Sequence, residues 1–201
     1  MRLRLLYTLL SLLVISTALS AQKLSKTDEA NIQERVGAFI KSTKNLDYEG
    51  VLDLTYPKIF TIASKENMLE LLGSAEAMGM KMMVDAMDIK KIEGLHKNGK
   101  DMYALVKYDT RMRIGVSGEL ASEMAISSLT SSFGDTYGSK NVSFDDEKSE
   151  FSVYGEKYMV LINEEAYEGK WFIIEWNTEN PDLMKTLLIP EVIKKASKRI
   201  K

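Results

Sequence analysis

Residues 158–176 read YMVLINEEAYEGKWFIIEW, the densest run of β-branched and aromatic residues in the chain. Tyr158, Val160 and Ile162 alternate with Met159 and Leu161, so an extended backbone sends the two sets to opposite faces. After a polar turn containing Gly169, Trp171 and Ile173 share one side and Phe172, Ile174 and Trp176 the other. The spacing predicts a β-hairpin. Because both of its faces are apolar, it needs a cover on each, as in the middle of a layered domain. Trp171 and Trp176 point to opposite faces and cannot both lie under one helical layer. Leu183, Leu187, Leu188, Val192 and Ile193 follow closely in sequence and are the expected second cover. A helix at Glu119 to Phe133 and a second subunit are the rival covers.

Working outward, Ile32, Val36, Phe39 and Ile40 fall on one face of a helix from Thr27 to about Thr43, with Asp28 and Glu29 in its first turn. Asp47 caps a short second helix that ends before Pro57, and Ser64 caps a third whose Met68, Leu71, Leu72 and Ala75 form a stripe ending near Gly79. From Met80 the period changes to two. Met80 to Leu95 reads as a long strand, Asn98-Gly99 as a hairpin, and the return strand carries Met102, Ala104, Val106, Tyr108, Thr110, Met112 and Ile114 on one face. The serine-rich helix from Glu119 is expected to stop at Gly134. Asn141 to Phe144 and Glu150 to Tyr154 then read as a second small hairpin leading into the Tyr158 hairpin, and Asn180-Pro181 and Ile189-Pro190 start C-terminal helices. The expected fold class is α+β: N-terminal helices on a curved, mostly antiparallel sheet, with an inserted helix and a helical tail.

At the start of the chain, Arg2 and Arg4 precede an apolar run from Leu5 to Leu19, with Ala18, Ser20 and Ala21 as small residues for cleavage. This is the pattern of an export signal over residues 1–21, leaving one domain over 22–201 with its core at about 27–176 and an extension at 180–201. A fifteen-residue run is short for a membrane span. Loss of the two arginines leaves 25 basic against 29 acidic residues, which disfavours nucleic acid as a partner. There is no cysteine, so disulfides, thiolate catalysis, cysteine zinc sites and a lipoprotein anchor are excluded. At 45% hydrophobic, the remainder suffices for a core held by burial alone.

The order of three helices followed by a sheet whose last strand is Gly169-Lys170-Trp171-Phe172-Ile173-Ile174 resembles the nuclear transport factor 2-like, cone-shaped α+β superfamily. More narrowly, Leu54-Thr55-Tyr56-Pro57, the Trp171 strand and Ile189-Pro190-Glu191-Val192-Ile193 look like an uncharacterised family of small exported bacterial proteins. The superfamily resemblance implies a pocket between the helices and the concave sheet, with Tyr56, Tyr108, Met112, Tyr158 and Trp171 as its candidate residues. Some members, similar to ketosteroid isomerase, do acid–base chemistry there, for which Asp85 or Glu175 with Tyr56, Tyr108 or Tyr158 supplies the residue types. No spacing singles out a pair, and a structural hydroxyl or surface acid is the simpler reading of each.

Other motifs are weaker. Met78, Met80 and Met82 alternate, with Met83 and Met87 nearby, an arrangement that suits Cu(I), though methionine more commonly fills core gaps. His96 has no second ligand at metal spacing, and the acidic turn from Asp145 to Glu150 lacks the central glycine of a calcium loop. The serines at Ser127 to Ser132 have no nucleophile elbow. The basic tail, with Lys194, Lys195, Lys198, Arg199 and Lys201, reads as a docked helix rather than a membrane anchor.

The sequence thus points to an exported, non-catalytic binding or interaction domain, with an isomerase or hydro-lyase as the alternative. The expected partners are a small apolar ligand or an envelope protein, with a second copy of the chain as a further candidate. No catalytic residue, cofactor, metal or nucleic acid is expected, and membrane contact is expected only through the signal before its removal. N-terminal sequencing of the protein from a cell envelope fraction is expected to begin within a residue or two of Gln22; a full-length chain held in the membrane overturns the export reading.

Overall fold

Ser25 opens the first helix by a reciprocal cap: its hydroxyl accepts from the Asp28 N–H at 3.0 Å, and the Asp28 carboxylate accepts from the Ser25 N–H at 3.2 Å. The computed structural model describes residues 23–200, and the expected signal segment lies outside the described residues. Helix α1 (Lys26–Lys44) buries Ile32 and Val36. Asp47, accepting from Gly50 N–H, caps α2 (Tyr48–Leu54). A 3-10 turn over Pro57–Thr61 leads to α3 (Lys65–Ala77), capped by Ser64.

Five strands form one antiparallel sheet: β1 (Met80–Asn98), β2 (Asp101–Val116), β3 (Val142–Asp145), β4 (Glu150–Asn163) and β5 (Trp171–Glu175). Strand β4 is the hub. It pairs along its length with β2, while its other edge takes β3 opposite Glu150 to Val153 and β5 opposite Met159 to Asn163. Helix α4 (Glu123–Tyr137) connects β2 to β3, and α5 (Pro181–Leu187) and α6 (Pro190–Ser197) close the chain. Among the described residues no helix is long and apolar enough to cross a membrane.

The period-two pattern sorts the sheet into three buried clusters. On one face, Ile32 and Val36 of α1 pack on Ala104, Val106, Tyr108, Met159, Leu161, Trp171 and Ile173. On the opposite face, Tyr103, Leu105, Val160, Ile162 and Ile174 meet Met184, Leu187, Leu188, Val192 and Ala196 of the tail, with Phe172 and Trp176 partly buried alongside. The far end of the sheet, with Ile114, Val116, Phe151 and Val153, lies against Ile126, Leu129 and Phe133 of α4. The fold is therefore the α+β arrangement expected from the sequence, and the tail is the second cover of the hairpin.

The small hairpin expected around the Asp145 to Glu150 turn forms as β3 against the start of β4, and its second arm continues unbroken to Asn163 because β2 pairs with it throughout. Three local expectations are corrected. Strand β5 stops at Glu175, so Trp176 begins the connection to α5. Helix α4 passes through Gly134 and ends at Gly138, whose φ of 87° lies in the region that favours glycine. Gly134 is buried beside Ser139, so it is small for packing rather than for termination. Leu71, assigned to the inward stripe of α3, is 68% exposed, because the half-buried side of α3 is the one that carries Met68, Leu69, Leu72 and Ala75.

Leu187 is 2% exposed, and truncating such a side chain costs about 2–5 kcal/mol through lost transfer energy and the cavity left behind. Urea unfolding of Leu187→Ala is expected to show that loss with an unchanged m-value, whereas Leu71→Ala stays within about 0.5 kcal/mol of the parent. Equal effects of the two substitutions overturn the assignment of the tail as a core layer.

Candidate functional site

The two covering layers meet beyond the outer edge of β5. There Thr55 bridges to Ile173 in parallel register, and the Tyr56 N–H donates to the Ile173 carbonyl at 2.9 Å, which fixes the end of α2 against the sheet edge. Between this junction, α3 and the start of the tail lies an open cavity of about 460 Å³. Its apolar wall comes from Phe39 of α1, Val51 and Leu52 of α2, Met68 of α3, and Leu183 and Met184 of α5. Trp176 and Thr178 line it from the β5–α5 connection.

One end of the cavity is polar, built by Lys157, Glu175, Glu179 and Thr136. Parity along β4 and β5 puts Lys157 and Glu175 on the α1 face. Gly155, two residues before Lys157, has no side chain because the Tyr137 ring occupies that space; a Cβ there would come within 2.7 Å of the ring. The Lys157 ammonium lies 4.4 Å from the centroid of the same ring. Glu179 accepts from the Thr136 hydroxyl at 3.1 Å, joining the β5–α5 connection to the end of α4.

Glu175 stands where the cavity opens, so water reaches it, yet protein crowds its carboxyl from the sheet side. That partial loss of water raises it above the usual carboxylate value, while Lys157 and the Tyr108 hydroxyl pull it back. Burial raises the Tyr108 phenol in turn, and the charge of Glu175 adds to the rise. Tyr137, partly buried and facing both Glu175 and Glu179, is pushed up to about 12.

A second polar cluster ties the layers together. Glu164, just past β4, accepts from the hydroxyls of Tyr56 at 2.8 Å and Tyr103 at 2.7 Å. The Tyr167 ring packs edge-on against Tyr56, and His96 stacks on Tyr103 and meets the Lys195 ammonium at 3.1 Å. Both tyrosines are 3% exposed, so this is an internal clamp between α2, β2 and the β4–β5 turn rather than a surface open to a ligand. Burial raises both phenols, and the Glu164 carboxylate reinforces the rise.

The five residues assigned to a pocket from the sequence are dispersed, and none lines the large cavity. Tyr56 is held in the Glu164 clamp, and Tyr108 lies beneath Glu175 inside the α1 cluster. Met112 packs toward α4, and Tyr158 packs at the edge of the tail cluster with its hydroxyl on Glu156. Trp171 is 5% exposed and borders only a shallow hollow with Arg35 and Lys170. The reason is alternation: the strand positions lie on sheet faces that helices cover wholly, as at Tyr108 and Trp171, or in part, as at Met112 and Tyr158, whereas the cavity forms past a sheet edge. Of the two carboxylates considered for chemistry, Glu175 reaches the cavity, and Asp85 is neutralised by a bidentate contact with Arg113 at 2.8 Å, which lowers it.

Sequence reasoning missed Lys157, Glu179, Thr136 and Glu164, none of which belongs to a motif. The run ending in Trp176-Asn177-Thr178-Glu179 was a usable signal, since polar residues just past a sheet-edge strand commonly line clefts. The methionines divide: Met80 packs beneath α4 and Met87 beneath α1, while Met78 is 65% exposed. Among the described residues no group of three or more His, Asp or Glu side chains is placed to hold a metal ion. No family model matches the chain, and no curated protein matches it.

The native fold holds Tyr56, Tyr103 and Tyr108 protonated, whereas tyrosines of an unfolded chain ionise near pH 10. The unfolded state therefore loses protons first, and stability falls as pH rises above about 10. Spectrophotometric titration is expected to show these phenols ionising together with unfolding rather than before it. The Tyr56→Phe/Tyr103→Phe variant is expected to reduce the number that ionise in that cooperative step; normal titration of these tyrosines in the native state overturns the clamp.

Proposed function

We propose that the protein is an exported, non-catalytic binding module whose ligand, a small molecule with an apolar body, sits in the cavity beyond the edge of β5. The observation that carries this reading is the cavity itself: about 460 Å³, open to solvent, with an apolar wall drawn from both covering layers and charged groups gathered at one end. Small-ligand sites span about 300–1,000 Å³ and combine a mostly apolar lining with a few placed polar groups, so the volume suits a ligand of modest size. Export rests on the N-terminal pattern of two arginines, an apolar run and small residues.

A pocket enzyme of the isomerase or hydro-lyase kind is the second reading, favoured by the raised carboxyl of Glu175 beside the Tyr108 hydroxyl. Acid–base chemistry on a bound carbonyl needs both the carboxylate and the donor within hydrogen-bond reach of the substrate. Tyr108 instead lies behind Glu175, buried away from the cavity, so its hydroxyl serves the carboxylate and not a ligand. That arrangement, with the open mouth, favours binding over turnover.

A neutral apolar fluorophore such as N-phenylnaphthylamine is expected to bind saturably with enhanced emission. Met68→Trp or Val51→Trp, which fill the cavity from separate helices, are expected to weaken binding at least about tenfold. Leu71→Ala, on the exposed side of α3, leaves it unchanged. Absence of binding, or binding indifferent to both tryptophans in variants that retain the parent circular dichroism and melt, overturns the proposal.

A further inference from the structure

The polar end of the cavity is not neutral. Two carboxylates, Glu175 and Glu179, line it with a single ammonium, that of Lys157. Lys157 is already engaged, its charge lying over the Tyr137 ring and facing Glu175. Glu179 is held by the Thr136 hydroxyl, a hydrogen bond that orients its carboxylate without cancelling its charge. Among the described residues neither Glu175 nor Glu179 makes an ion pair within 4.0 Å. Both acids line the same cavity beside the end of α4: Glu179 is bonded to Thr136, and Lys157, which faces Glu175, lies over the ring of the adjacent Tyr137.

We propose that the cavity selects amphiphiles with a cationic head, an alkylamine or aryl-alkylamine, whose ammonium sits at Glu175 and Glu179 while its apolar body lies along Met68, Val51 and Leu183. The inference rests on the cavity being the binding site. Its physical basis is a difference in charge. A fatty carboxylate would add to the excess negative charge of an end that holds two carboxylates against one ammonium, and that ammonium is already engaged. An ammonium removes the excess negative charge and donates up to three hydrogen bonds to carboxylate oxygens that have room for them. The same apolar tail therefore binds with either head at different strength, and the head decides the preference. Partial shielding from water makes each contact stronger than its counterpart on an open surface, and added salt weakens the preference without abolishing the contribution of the tail. The volume, in the lower half of the range for small-ligand sites, suits one chain or one ring system rather than a two-chain lipid.

Displacement of bound N-phenylnaphthylamine by decylamine, decanol and decanoate, each below its aggregation limit, tests the proposal on the intact chain from Gln22. Decylamine is expected to displace the probe at least about tenfold more effectively than decanoate, with decanol between them. The decylamine-to-decanoate ratio is expected to shrink as salt is raised and to approach unity in Glu175→Gln/Glu179→Gln. Since the ratio is taken within each protein, a general change in affinity of the variant cancels. If that variant fails to fold, the ratio in the parent and its salt dependence still decide the matter. Equal displacement by both, or stronger displacement by decanoate, overturns the cationic head while leaving the binding module intact. Failure of the probe and of all three amphiphiles to bind overturns the binding module instead.

Discussion

Strands β4 and β5 bury apolar side chains on both faces at once, and the layers of the domain follow from that demand. Met159, Leu161, Trp171 and Ile173 face α1, while Val160, Ile162 and Ile174 face the tail, most of them with almost no surface left in water. Each fully buried side chain of this size contributes about 1.5–3 kcal/mol relative to exposure. A single helical layer satisfies half of the strand and leaves the other half in water, at a cost comparable with the net stability of a domain. The C-terminal helices are thus part of the core, even though the sheet is complete before they begin.

The position of the cavity follows from the same arrangement. Layers that cover opposite faces of a sheet converge wherever the sheet ends, and β5 is a short strand on the outer edge of β4, whose middle is paired only on its β2 side. The Thr55 to Ile173 bridge draws α2 to that edge, and the Glu164 clamp fixes the same junction from the other side through Tyr56. These contacts fix the end of α2 against the sheet, so the wall that α2 gives to the cavity is set by the fold. The opposite edge of the sheet is treated differently. Strand β1 has no further strand beside it among the described residues, and it carries register shifts near Val84, Ile89 and Gly94 together with Lys90 and Lys91. Bulges and lysines at an edge oppose the addition of another strand. The molecule therefore presents one edge shaped to avoid partners and one edge opened into a pocket.

Charge is concentrated where it can act. Asp85, Asp109 and Glu156 are matched by Arg113, Lys90 and Lys107 on the exposed strand surface, pairs that contribute little to stability in water. At the polar end of the cavity the signs do not balance, and the neighbouring Tyr137 and Tyr108 are neutral. A ligand that supplies the missing charge gains from this asymmetry in a way that a purely apolar molecule does not.

Most of the architecture was legible in the residues. The alternation at Tyr158 to Trp176 fixed which side chains share a face, the caps at Ser25, Asp47 and Ser64 marked three helix starts, and the demand for two covers pointed to the tail. Parity is a local property of an extended chain, and capping is a local property of a helix end, so neither needs distant contacts. The candidate site was not legible in the same way. Lys157, Glu175 and Glu179 come from two strands and a connection, and Thr136 and Met68 from two helices, with no shared spacing to announce them. The aromatic residues that looked most like a pocket lining were consumed by the core, because the same size and apolarity that suit a ligand also suit packing. Sequence alone determined the two-faced hairpin and the layers it requires. Only the tertiary structure decided where those layers leave a gap, since that depends on how far helices separated in sequence can close over a sheet edge.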